Sequence, residues 1–529
     1  MRKRVMMMVV ALMPVLVAAQ EMNDRLQSEM RKLLISKAMI EAYYVDTVNG
    51  GKLVEDAIRG MLKELDPHST YTNAEETRKA TEPLKGNFDG IGVSFNVLED
   101  TLVVLQTVPG GPSERMGILP GDRIVKCNDT VLAGVKMDRN DMMKLLRGPR
   151  GTHAVLGVKR GEDTTLVYFD VVRAKIPINT VDASYMIRPG VGLIRLSSFG
   201  ATSAEEVGAA IDSLKRLGMK DLIFDLTQNG GGYLAAAAGV AGHFLKEGEL
   251  VVFTKGRTVK SDELYAEKVA SGRHFDGRLV VAVDEYTASA AEIVSGAVQD
   301  YDRGVIVGRR TFGKGLVQRP CMLPDGSMMR LTIAHYYTPT GRCIQKPYEK
   351  GHGEDYAKDI EKRLKSGELT CRDSIHFADS LKYETLKEKR TVYGGGGIMP
   401  DVFVPLDTTK YNKYHRALAA KNCIITATLK YIDRARTALA ARYRNVEEFA
   451  TRYEVDDEMW AILDAEAAKA KVTAADEGEK NAARKTVAVQ LKALIARDLW
   501  DMSAYFRVWN EGNDIIRSAL KEIETVRTN

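Results

Sequence analysis

Apolar side chains recur at helical spacing in the first part of the chain. Leu26 and Met30 begin a pattern in which apolar residues stand three or four positions apart, and it continues through residues 22–65. Residues with this spacing share one face of a helix, so the whole stretch is predicted to be helical. Pro67 follows the last apolar residue, and a proline there ends a helix. The sequence therefore predicts an N-terminal helical region over residues 20–83.

The pattern changes near residue 84, where glycines become frequent and apolar residues occur in short runs. Short apolar runs bounded by turn residues are typical of β-strands. One helix is predicted among them, from Asp138 to Leu146. We therefore expect a small β-rich domain over residues 84–175. Its predicted strands lie near residues 92–95, 102–105, 123–125, 155–158 and 165–169.

Strand and helix patterns alternate over residues 176–410, which is typical of an α/β core with partly parallel strands. Ser203 is the predicted N-cap of the first helix. Residues 350–390 are polar and charged, and we interpret them as an insertion. The predicted strands are 191–196, 221–226, 279–283, 304–308 and 327–338, and the predicted helices are 203–217, 234–245 and 288–298.

Residues 411–529 are rich in Ala, Glu, Lys and Arg, a composition that favours helices. The segment 465–493 has this bias throughout, which predicts one long exposed helix or a helix that binds a partner. Together the patterns predict a multidomain protein of α/β and β parts. An α/β core carries an inserted β-rich domain and lies between an N-terminal helical segment and a C-terminal helical region.

The first 19 residues have the layout of a secretory signal peptide. The basic start MRKR precedes an apolar run that ends in small residues at Ala19. That run is shorter than the roughly 20 residues that a membrane-spanning helix needs. We therefore expect cleavage between Ala19 and Gln20 and export to the periplasm or the cell envelope.

Charge and metal-binding patterns exclude several classes of function. The 529 residues include 76 Lys and Arg and 71 Asp and Glu, a formal net charge of +5, which does not indicate a nucleic-acid binder. The 5 cysteines have no zinc-type spacing, and the 8 histidines include no HExxH pair. We expect no metal and no cofactor, and we interpret His335 as structural.

A serine stands where a predicted buried strand turns into a helix. Ser289 follows the strand at residues 279–283, and the next helix is predicted to begin within a residue or two. A hydroxyl at such a turn faces a cleft, and the first helical amides stabilise negative charge there. This arrangement suits a nucleophile. The alternative from this segment alone is a helix N-cap, a position that serine favours.

Lys314 lies between two glycines, beside Phe312, after the predicted strand at residues 304–308. A poorly hydrated lysine loses affinity for its proton and can then act as a general base toward a serine. Ser–Lys pairs are an established form of nucleophilic catalysis. In an extended chain Gln318 shares a face with Lys314, where it could hold the amine in place. The alternative is an exposed loop lysine.

Three glycines, Gly230, Gly231 and Gly232, separate the predicted strand at residues 221–226 from the next helix. Such a turn presents backbone amides at a helix N-terminus and can hold an anion or an oxyanion. The segment fits neither a phosphate loop nor the GxGxxG pattern. The alternative is a plain tight turn.

Another glycine-flanked turn opens the β-rich domain. Gly90, Ile91 and Gly92 precede a strand that carries Val93 and Phe95. The turn amides can hold a carboxylate, and the strand edge can pair with an incoming peptide. The three apolar side chains would then line a pocket for the last residue of that peptide. The alternative is an ordinary hairpin turn.

In combination these segments resemble the carboxyl-terminal processing proteases, also called tail-specific proteases. The resemblance covers roughly residues 30–405, and its motifs occur in the family's order. It implies that the β-rich domain is a PDZ domain and that the α/β part is a serine-peptidase core. The segments that carry it are GIGVSF at 90–95, LPGDRI at 119–124, LRGPRGT at 146–152, residues 225–232, the Ser289 segment, Lys314 with Gln318, LDPHS at 65–69 and TGRCIQ at 340–345.

The resemblance implies a role for each site residue. Ser289 would be the nucleophile, Lys314 the general base and Gln318 the residue that orients Lys314. The amides of Ala290 and of one glycine, Gly231, would form the oxyanion hole. The implied activity is that of a cell-envelope serine endopeptidase that cuts proteins near their C-termini through an acyl-enzyme. The PDZ domain would capture the substrate's tail through Gly90, Ile91, Gly92, Val93 and Phe95.

The chain departs from the family pattern beside the predicted site. Gly230 stands where the family usually has proline, Tyr286 and Thr287 replace a Gly-Ser pair, and Ala291 replaces a serine. None of these changes removes a chemical group that the mechanism needs.

The expected domains are 1–19 for the signal peptide, 20–83 for the N-terminal helical region, 84–175 for the PDZ domain, 176–410 for the peptidase core and 411–529 for the C-terminal helical region.

Two other functions remain as alternatives. One is a catalytically silent scaffold that binds peptides on the same fold, and the presence of Ser289, Lys314 and Gln318 counts against it. The other is a hydrolase of small amides or esters, which would not need a domain for binding tails. The expected partners are protein or peptide substrates with free apolar C-termini. A homo-oligomer formed through the terminal helical regions is also expected.

Overall fold

The computed structural model describes residues 26–161 and 165–525. The predicted signal peptide, residues 1–19, lies outside the described residues. Contacts divide the chain into two units. Unit 1 comprises residues up to Thr77 together with Gln318–Thr332 and Tyr348–Tyr356, and unit 2 comprises the rest of the chain.

The N-terminal segment of unit 1 includes two helices and a short strand among its described residues. Helix α1 spans residues 26–43, helix α2 spans Gly50–Lys63, and strand β1 spans Thr70–Thr72. The prediction of continuous helix over residues 22–65 is therefore wrong at residues 44–49. The helix restarts there because the Asn49 side chain accepts a hydrogen bond from the Lys52 amide at 3.1 Å and caps α2.

The β-rich domain is an antiparallel sheet with a helix packed against it. Its strand order is β3-β4-β5-β7-β8, with β6 beside β5, and β2 pairs separately with β9. The helix predicted from Asp138 to Leu146 is α5, which begins one residue later because the Asp138 side chain caps it. The elements are α3 Ala74–Lys85, β2 Asn87–Gly90, β3 Val93–Leu98, β4 Thr101–Thr107, α4 Pro112–Arg115, β5 Arg123–Cys127, β6 Thr130–Val131, α5 Arg139–Leu146, β7 His153–Lys159, β8 Val167–Val172 and β9 Ala174–Pro177.

The core is a six-stranded sheet between two layers of helices. The strand order is β10-β11-β12-β15-β16-β21, and all pairs are parallel except β10 with β11. The elements up to the last of these strands are β10 Val181–Arg188, β11 Val191–Leu196, α6 Ser203–Arg216, β12 Asp221–Asp225, α7 Leu234–Ala241, β13 Leu250–Lys255, β14 Asp262–Tyr265, β15 Arg278–Val283, α8 Ala290–Asp300, β16 Val305–Gly308, β17 Leu316–Met322, β18 Met328–Tyr337, α9 Gly353–Ala357, α10 Asp359–Lys365, β19 Lys382–Glu384, β20 Thr391–Tyr393 and β21 Val402–Phe403.

Alternate side chains of the core strands face opposite layers. Phe224 and Val281 point toward helices α6, α7 and α8, whereas their neighbours Ile223 and Val280 belong to the cluster on the other face. Residues on a strand alternate in this way, so both faces of the parallel sheet are buried. The carboxyl ends of β12, β15 and β16 lead into the loops that hold the predicted site.

The C-terminal region consists of helices packed around their own apolar core. The prediction of one long helix over residues 465–493 is wrong. Helix α14 ends at Lys469, and a new helix begins after Asp476, whose side chain caps it by accepting the Glu479 amide at 2.7 Å. The helices are α11 Lys413–Ala420, α12 Cys423–Arg442, α13 Val446–Arg452, α14 Asp457–Lys469, α15 Glu477–Leu499, α16 Met502–Trp509 and α17 Asp514–Thr525.

Three smaller findings concern a helix cap, the cysteines and membrane-spanning helices. Thr202, not Ser203, is the N-cap of α6, because the Ser203 hydroxyl instead accepts the Gly200 amide at 2.8 Å inside the preceding turn. Cys127, Cys321, Cys343, Cys371 and Cys423 are all free thiols. In the part of the chain that the structure describes, no helix has both the length and the apolar character to cross a membrane.

Candidate active site

Ser289 occupies the turn between strand β15 and helix α8. Its backbone has φ 57° and ψ −117°, a conformation that residues with side chains seldom adopt. The strained turn is held at both ends. The Ser289 amide donates to Glu292 Oε2 at 2.8 Å, and its carbonyl accepts the Ile293 amide at 3.0 Å. Strain of this kind persists where surrounding contacts fix it, and it is concentrated at functional sites.

The buried carboxylate of Asp284 joins the serine turn to the glycine turn. Its Oδ1 accepts the amides of Gln228, Tyr286 and Thr287 at 3.0–3.1 Å, and its Oδ2 accepts the Gln228 side-chain amide at 2.8 Å. Burial, helped by the nearby charge of Glu285, raises the pKa of Asp284. The two turns, which follow strands β12 and β15, are thereby fixed to each other.

The glycine turn contacts the Ser289 segment directly. Gly231 has φ 93°, and a Cβ placed there would lie 2.7 Å from Ser289 Cβ and 2.8 Å from the Ala290 nitrogen. Only glycine permits this approach. The Gly231 amide donates to Asn229 Oδ1 at 2.8 Å, whereas no described residue accepts a hydrogen bond from the Ala290 amide.

A second buried carboxylate joins the serine turn to the loop that carries Lys314. Glu292 is fully buried on α8. Besides the Ser289 amide, it accepts the Thr311 hydroxyl at 2.5 Å, the Gly313 amide at 2.7 Å and the Lys314 amide at 2.9 Å. Burial raises the pKa of Glu292, while these four donors favour its ionised form. One side chain therefore contacts the backbones of both predicted catalytic residues.

The polar insertion supports the lysine loop from outside. Arg363 of α10 is buried, and its guanidinium donates to the carbonyls of Arg310 and Thr311 at 2.7 and 3.2 Å. Glu368 balances its charge through a 2.6 Å contact. The glycine run packs on the same loop, since a Cβ at Gly397 would lie 2.6 Å from the Thr311 carbonyl oxygen. The insertion is thus part of the site's framework.

Residues of the TGRCIQ motif bind the C-terminal end of helix α8. Arg342 is fully buried and forms an ion pair with Asp300, the last residue of α8. The other oxygen of Asp300 accepts the amide and the hydroxyl of Thr340 at 2.9 and 2.8 Å. The motif therefore anchors the helix that begins directly after Ser289.

Gln318 lies on strand β17 and belongs to unit 1. Its side-chain amide donates to the carbonyl of His68, in the predicted LDPHS motif. In the same unit the Asp66 carboxylate accepts the amides of His68 and Ser69 at 2.9 and 3.1 Å. The motif is therefore a closed turn that presents the His68 carbonyl to Gln318.

The PDZ-like domain leaves the edge of strand β3 without a strand partner among the described residues. β3 ends the sheet order, and it pairs on its other side with β4. Val93 and Phe95 on this strand are half-buried, and the Arg139 guanidinium donates to the Phe95 carbonyl at 3.3 Å. An edge of this kind is suited to pairing with an extended peptide.

The turn before β3 differs in detail from the predicted one. Gly90 is the last residue of β2, where it pairs with Ala174, so it lies in a strand and not in the turn. Ile91 is buried in the domain core, and Gly92 makes the turn with φ 76°. Among the described residues no acceptor contacts the amides of Ile91 and Gly92.

Sequence reasoning missed the two carboxylates that organise the site. A signal for Glu292 was present, because Ser289 and Glu292 have the three-residue spacing of a capping box. Asp284 closes a local turn by accepting the Tyr286 and Thr287 amides, but nothing in the sequence indicates its contact with Gln228, which is 56 residues away. No group of three or more His, Cys, Asp or Glu residues that could hold a metal ion occurs within residues 26–161 and 165–525.

Comparison with protein families matches four segments of the chain. Residues 190–356 match peptidase family S41, and residues 90–171 match the PDZ domain. Residues 12–77 match the N-terminal domain of the activating protease CtpB. Residues 414–501 match a family of unknown function. The S41 segment contains Ser289, Lys314 and Gln318.

Two carboxy-terminal processing proteases match more than half of the chain. The chain is 34% identical over 350 residues to the carboxy-terminal processing protease CtpA of Bacillus subtilis. The aligned segment covers 64% of this chain and 74% of the relative. The chain belongs to the carboxy-terminal processing protease family. It is also 34% identical over 312 residues to the carboxy-terminal-processing protease of Bartonella bacilliformis, covering 58% of this chain and 70% of that protein.

Among solved structures, the photosystem II D1 C-terminal processing protease matches with a TM-score of 0.33 and 25% identity, covering 72% of this chain and 93% of that one. The family matches and the B. subtilis relative, by themselves, show that the chain is a PDZ-containing serine peptidase of family S41. In this processing protease the S41 match ends at residue 356, so α10 with Arg363 lies beyond it.

Proposed function

We propose that this protease cuts its substrates with Ser289 as nucleophile and Lys314 as general base. The observation that carries the proposal is the Glu292 carboxylate, which accepts the backbone amides of both residues at 2.8 and 2.9 Å. Both residues also follow neighbouring parallel strands, β15 and β16, whose carboxyl ends meet at one edge of the sheet. This placement supports a joint role.

The proposed reaction begins with proton transfer from Ser289 Oγ to the neutral amine of Lys314. Oγ attacks the carbonyl carbon of the scissile peptide bond, and the negative charge develops on the carbonyl oxygen. The Ala290 amide, together with a glycine amide of the 230–232 turn, would stabilise that charge. Gly231 can serve only if its amide leaves Asn229 Oδ1, to which it donates at 2.8 Å.

Collapse of the tetrahedral intermediate breaks the carbon–nitrogen bond. The ammonium of Lys314 returns the proton to the leaving amine, and an acyl-enzyme remains on Ser289. Water then attacks the ester with Lys314 again accepting the proton, which releases the product acid and restores the serine. By resemblance to the family, Gln318 orients Lys314 during both steps.

The PDZ domain is proposed to capture a free, apolar C-terminus. The substrate's tail would pair with the edge of β3, and its carboxylate would bind the amides of Ile91 and Gly92. Val93 and Phe95, both half-buried, would contact the last side chain. Ile91 is only 2% exposed, so its side chain would form the floor of the pocket for that last side chain.

The test combines one substitution with a pair of substrates. Ser289→Ala should abolish peptide hydrolysis and labelling by a fluorophosphonate probe, since loss of a catalytic serine costs on the order of 10⁶ in rate. Ser295→Ala is the control, because this buried serine of the same helix donates only to α8 carbonyls. Turnover in Ser289→Ala would place the nucleophile elsewhere. Equal cleavage of free-acid and C-terminally amidated peptides would refute tail capture.

Two further parts of the proposal concern location and assembly. The chain is proposed to act in the cell envelope after cleavage at Ala19, and to associate with a second copy through its terminal helices. Leu26 and Leu34 of α1 are 55% and 65% exposed, which supports such contact. The N-terminal mass of envelope-derived protein and its molar mass by light scattering test both parts. A chain retaining residues 1–19, or a monomer at all concentrations, would refute them.

A further inference from the structure

The hydroxyl of Tyr336 lies between the backbone carbonyls of Ser289 and Lys314. It donates to the Ser289 carbonyl at 3.1 Å and makes a short contact with the Lys314 carbonyl. Tyr336 belongs to strand β18 and is 1% exposed. A phenol carries a single proton, so the two carbonyls share one donor.

Tyr336 complements Glu292. The carboxylate accepts the amides of Ser289 and Lys314, and the phenol donates to the carbonyls of the same two residues. Ser289 and Lys314 are therefore each hydrogen-bonded through both the backbone amide and the backbone carbonyl. The two contacts of Tyr336 span 47 and 22 positions of sequence, so they join segments that the chain itself does not bring together.

The ring of Tyr336 is fixed independently of these contacts. Its amide donates to the Gly315 carbonyl at 2.9 Å, and its side chain is part of the main apolar cluster. The hydroxyl is therefore a fixed point to which both turns are attached. Transfer of a proton between two side chains requires hydrogen-bond distance, and an error of 1 Å can cost about 100-fold in rate.

We propose that Tyr336 is a positioning residue for the catalytic pair. Its hydroxyl fixes the separation of Ser289 and Lys314 and does not touch the substrate. This inference rests on the proposed function of those two residues. It assigns a role to the strand that precedes the TGRCIQ motif, which the proposed mechanism otherwise leaves without one.

The test is Tyr336→Phe, which removes the hydroxyl and keeps the buried ring. Tyr337→Phe is the matched control, because its side chain lies on the other face of β18, stacked on Phe253 with 5.1 Å between ring centroids. We expect kcat of Tyr336→Phe to fall about 10- to 100-fold with KM nearly unchanged. The rate of fluorophosphonate labelling should fall by a similar factor, while the final labelled fraction and the melting temperature stay near those of the unchanged protein.

Several results would overturn the inference. Unchanged kcat and labelling rate in Tyr336→Phe would show that the hydroxyl does not position the pair. A loss explained by a smaller labelled fraction, a large fall in melting temperature or failure to fold would assign the hydroxyl a structural role instead. Lys314→Arg is measured alongside. If Lys314→Arg stays active, the proposed function fails; if it is inactive and Tyr336→Phe is normal, only this inference fails.

Discussion

At the scale of single residues, two buried carboxylates join the segments of the predicted site. Asp284 fixes the glycine turn against the serine turn, and Glu292 fixes the serine turn against the lysine loop. Unpaired buried carboxylates are costly, and these two are stable because each accepts several amides. Their removal would release the turns that hold Ser289 and Lys314.

A prediction at this scale concerns the proton acceptor. Lys314→Arg leaves a long basic side chain at this position but should abolish turnover, since a guanidinium does not give up its proton and cannot replace the neutral amine. Lys314→His should retain a trace of activity at neutral pH, because imidazole is a base there. Peptide hydrolysis and fluorophosphonate labelling measure both variants, with Lys246→Arg on the surface as control. Near-normal turnover of Lys314→Arg would leave Lys314 only an electrostatic role.

At the scale of elements, the glycine turn shows how closely the segments of the site approach. Gly231 has φ 93° and lies against Ser289, whereas a Cβ at Gly230 would meet nothing within 4 Å. The two neighbours therefore have opposite requirements. The close approach at Gly231 makes a glycine necessary there, whereas the space at Gly230 can hold a Cβ.

Gly231→Ala should inactivate the protease, whereas Gly230→Ala should be tolerated. The added methyl group at residue 231 would lie 2.7 Å from the Ala288 carbonyl oxygen, and the positive φ adds strain. Overpacking of this kind costs about 1–3 kcal/mol and would displace the serine turn. Activity per folded molecule and thermal unfolding measure both variants. Equal activity of the pair would contradict the packing seen at Gly231.

At the scale of the whole molecule, the C-terminal helices contact the core and the PDZ domain. Helix α17 covers the second face of the core sheet with Ile516 and Ile523, and Arg278 of β15 donates to the Ile523 carbonyl at 3.0 Å. Helix α12 packs Leu429 against Val103 and its apolar neighbours on the outer face of the PDZ sheet. The helices thereby set how the PDZ domain is attached.

The attachment of the PDZ domain is predicted to be sensitive to charge. Arg123 Nη2 lies 2.5 Å from Asp433 Oδ2, and both side chains are about a quarter exposed, at 26% and 23%. An exposed pair contributes about 0–1 kcal/mol, so Arg123→Asp should loosen the contact by repulsion without unfolding the domain. Amide hydrogen exchange in β4 should accelerate, and adding Asp433→Arg should restore it.

The same charge change at Lys144, on helix α5, is the control for that measurement. Lys144 is exposed and forms its ion pair with Asp141 within α5. Lys144→Asp should leave exchange in β4 unchanged. If Arg123→Asp behaves like Lys144→Asp, the ion pair with Asp433 has no part in holding the PDZ domain.

The sequence alone determined the fold class, most of the strands and helices, and the segments that carry Ser289 and Lys314. These features are local, because apolar periodicity, glycine turns and strand-to-helix junctions are set by residues a few positions apart. The errors were also local. The breaks at residues 44–49 and 470–476 depend on caps from Asn49 and Asp476 that interrupt otherwise helical patterns.

Only the tertiary structure decided what holds the site together. Glu292 meets Lys314 across 22 positions, Tyr336 meets Ser289 across 47, and Arg363 meets Arg310 across 53. No spacing rule relates such residues, because their contact depends on which strands lie side by side in the sheet and how the loops between them close. Short sequence motifs therefore identify the chemical groups of the predicted site, whereas the packing of the whole chain determines their distances and burial.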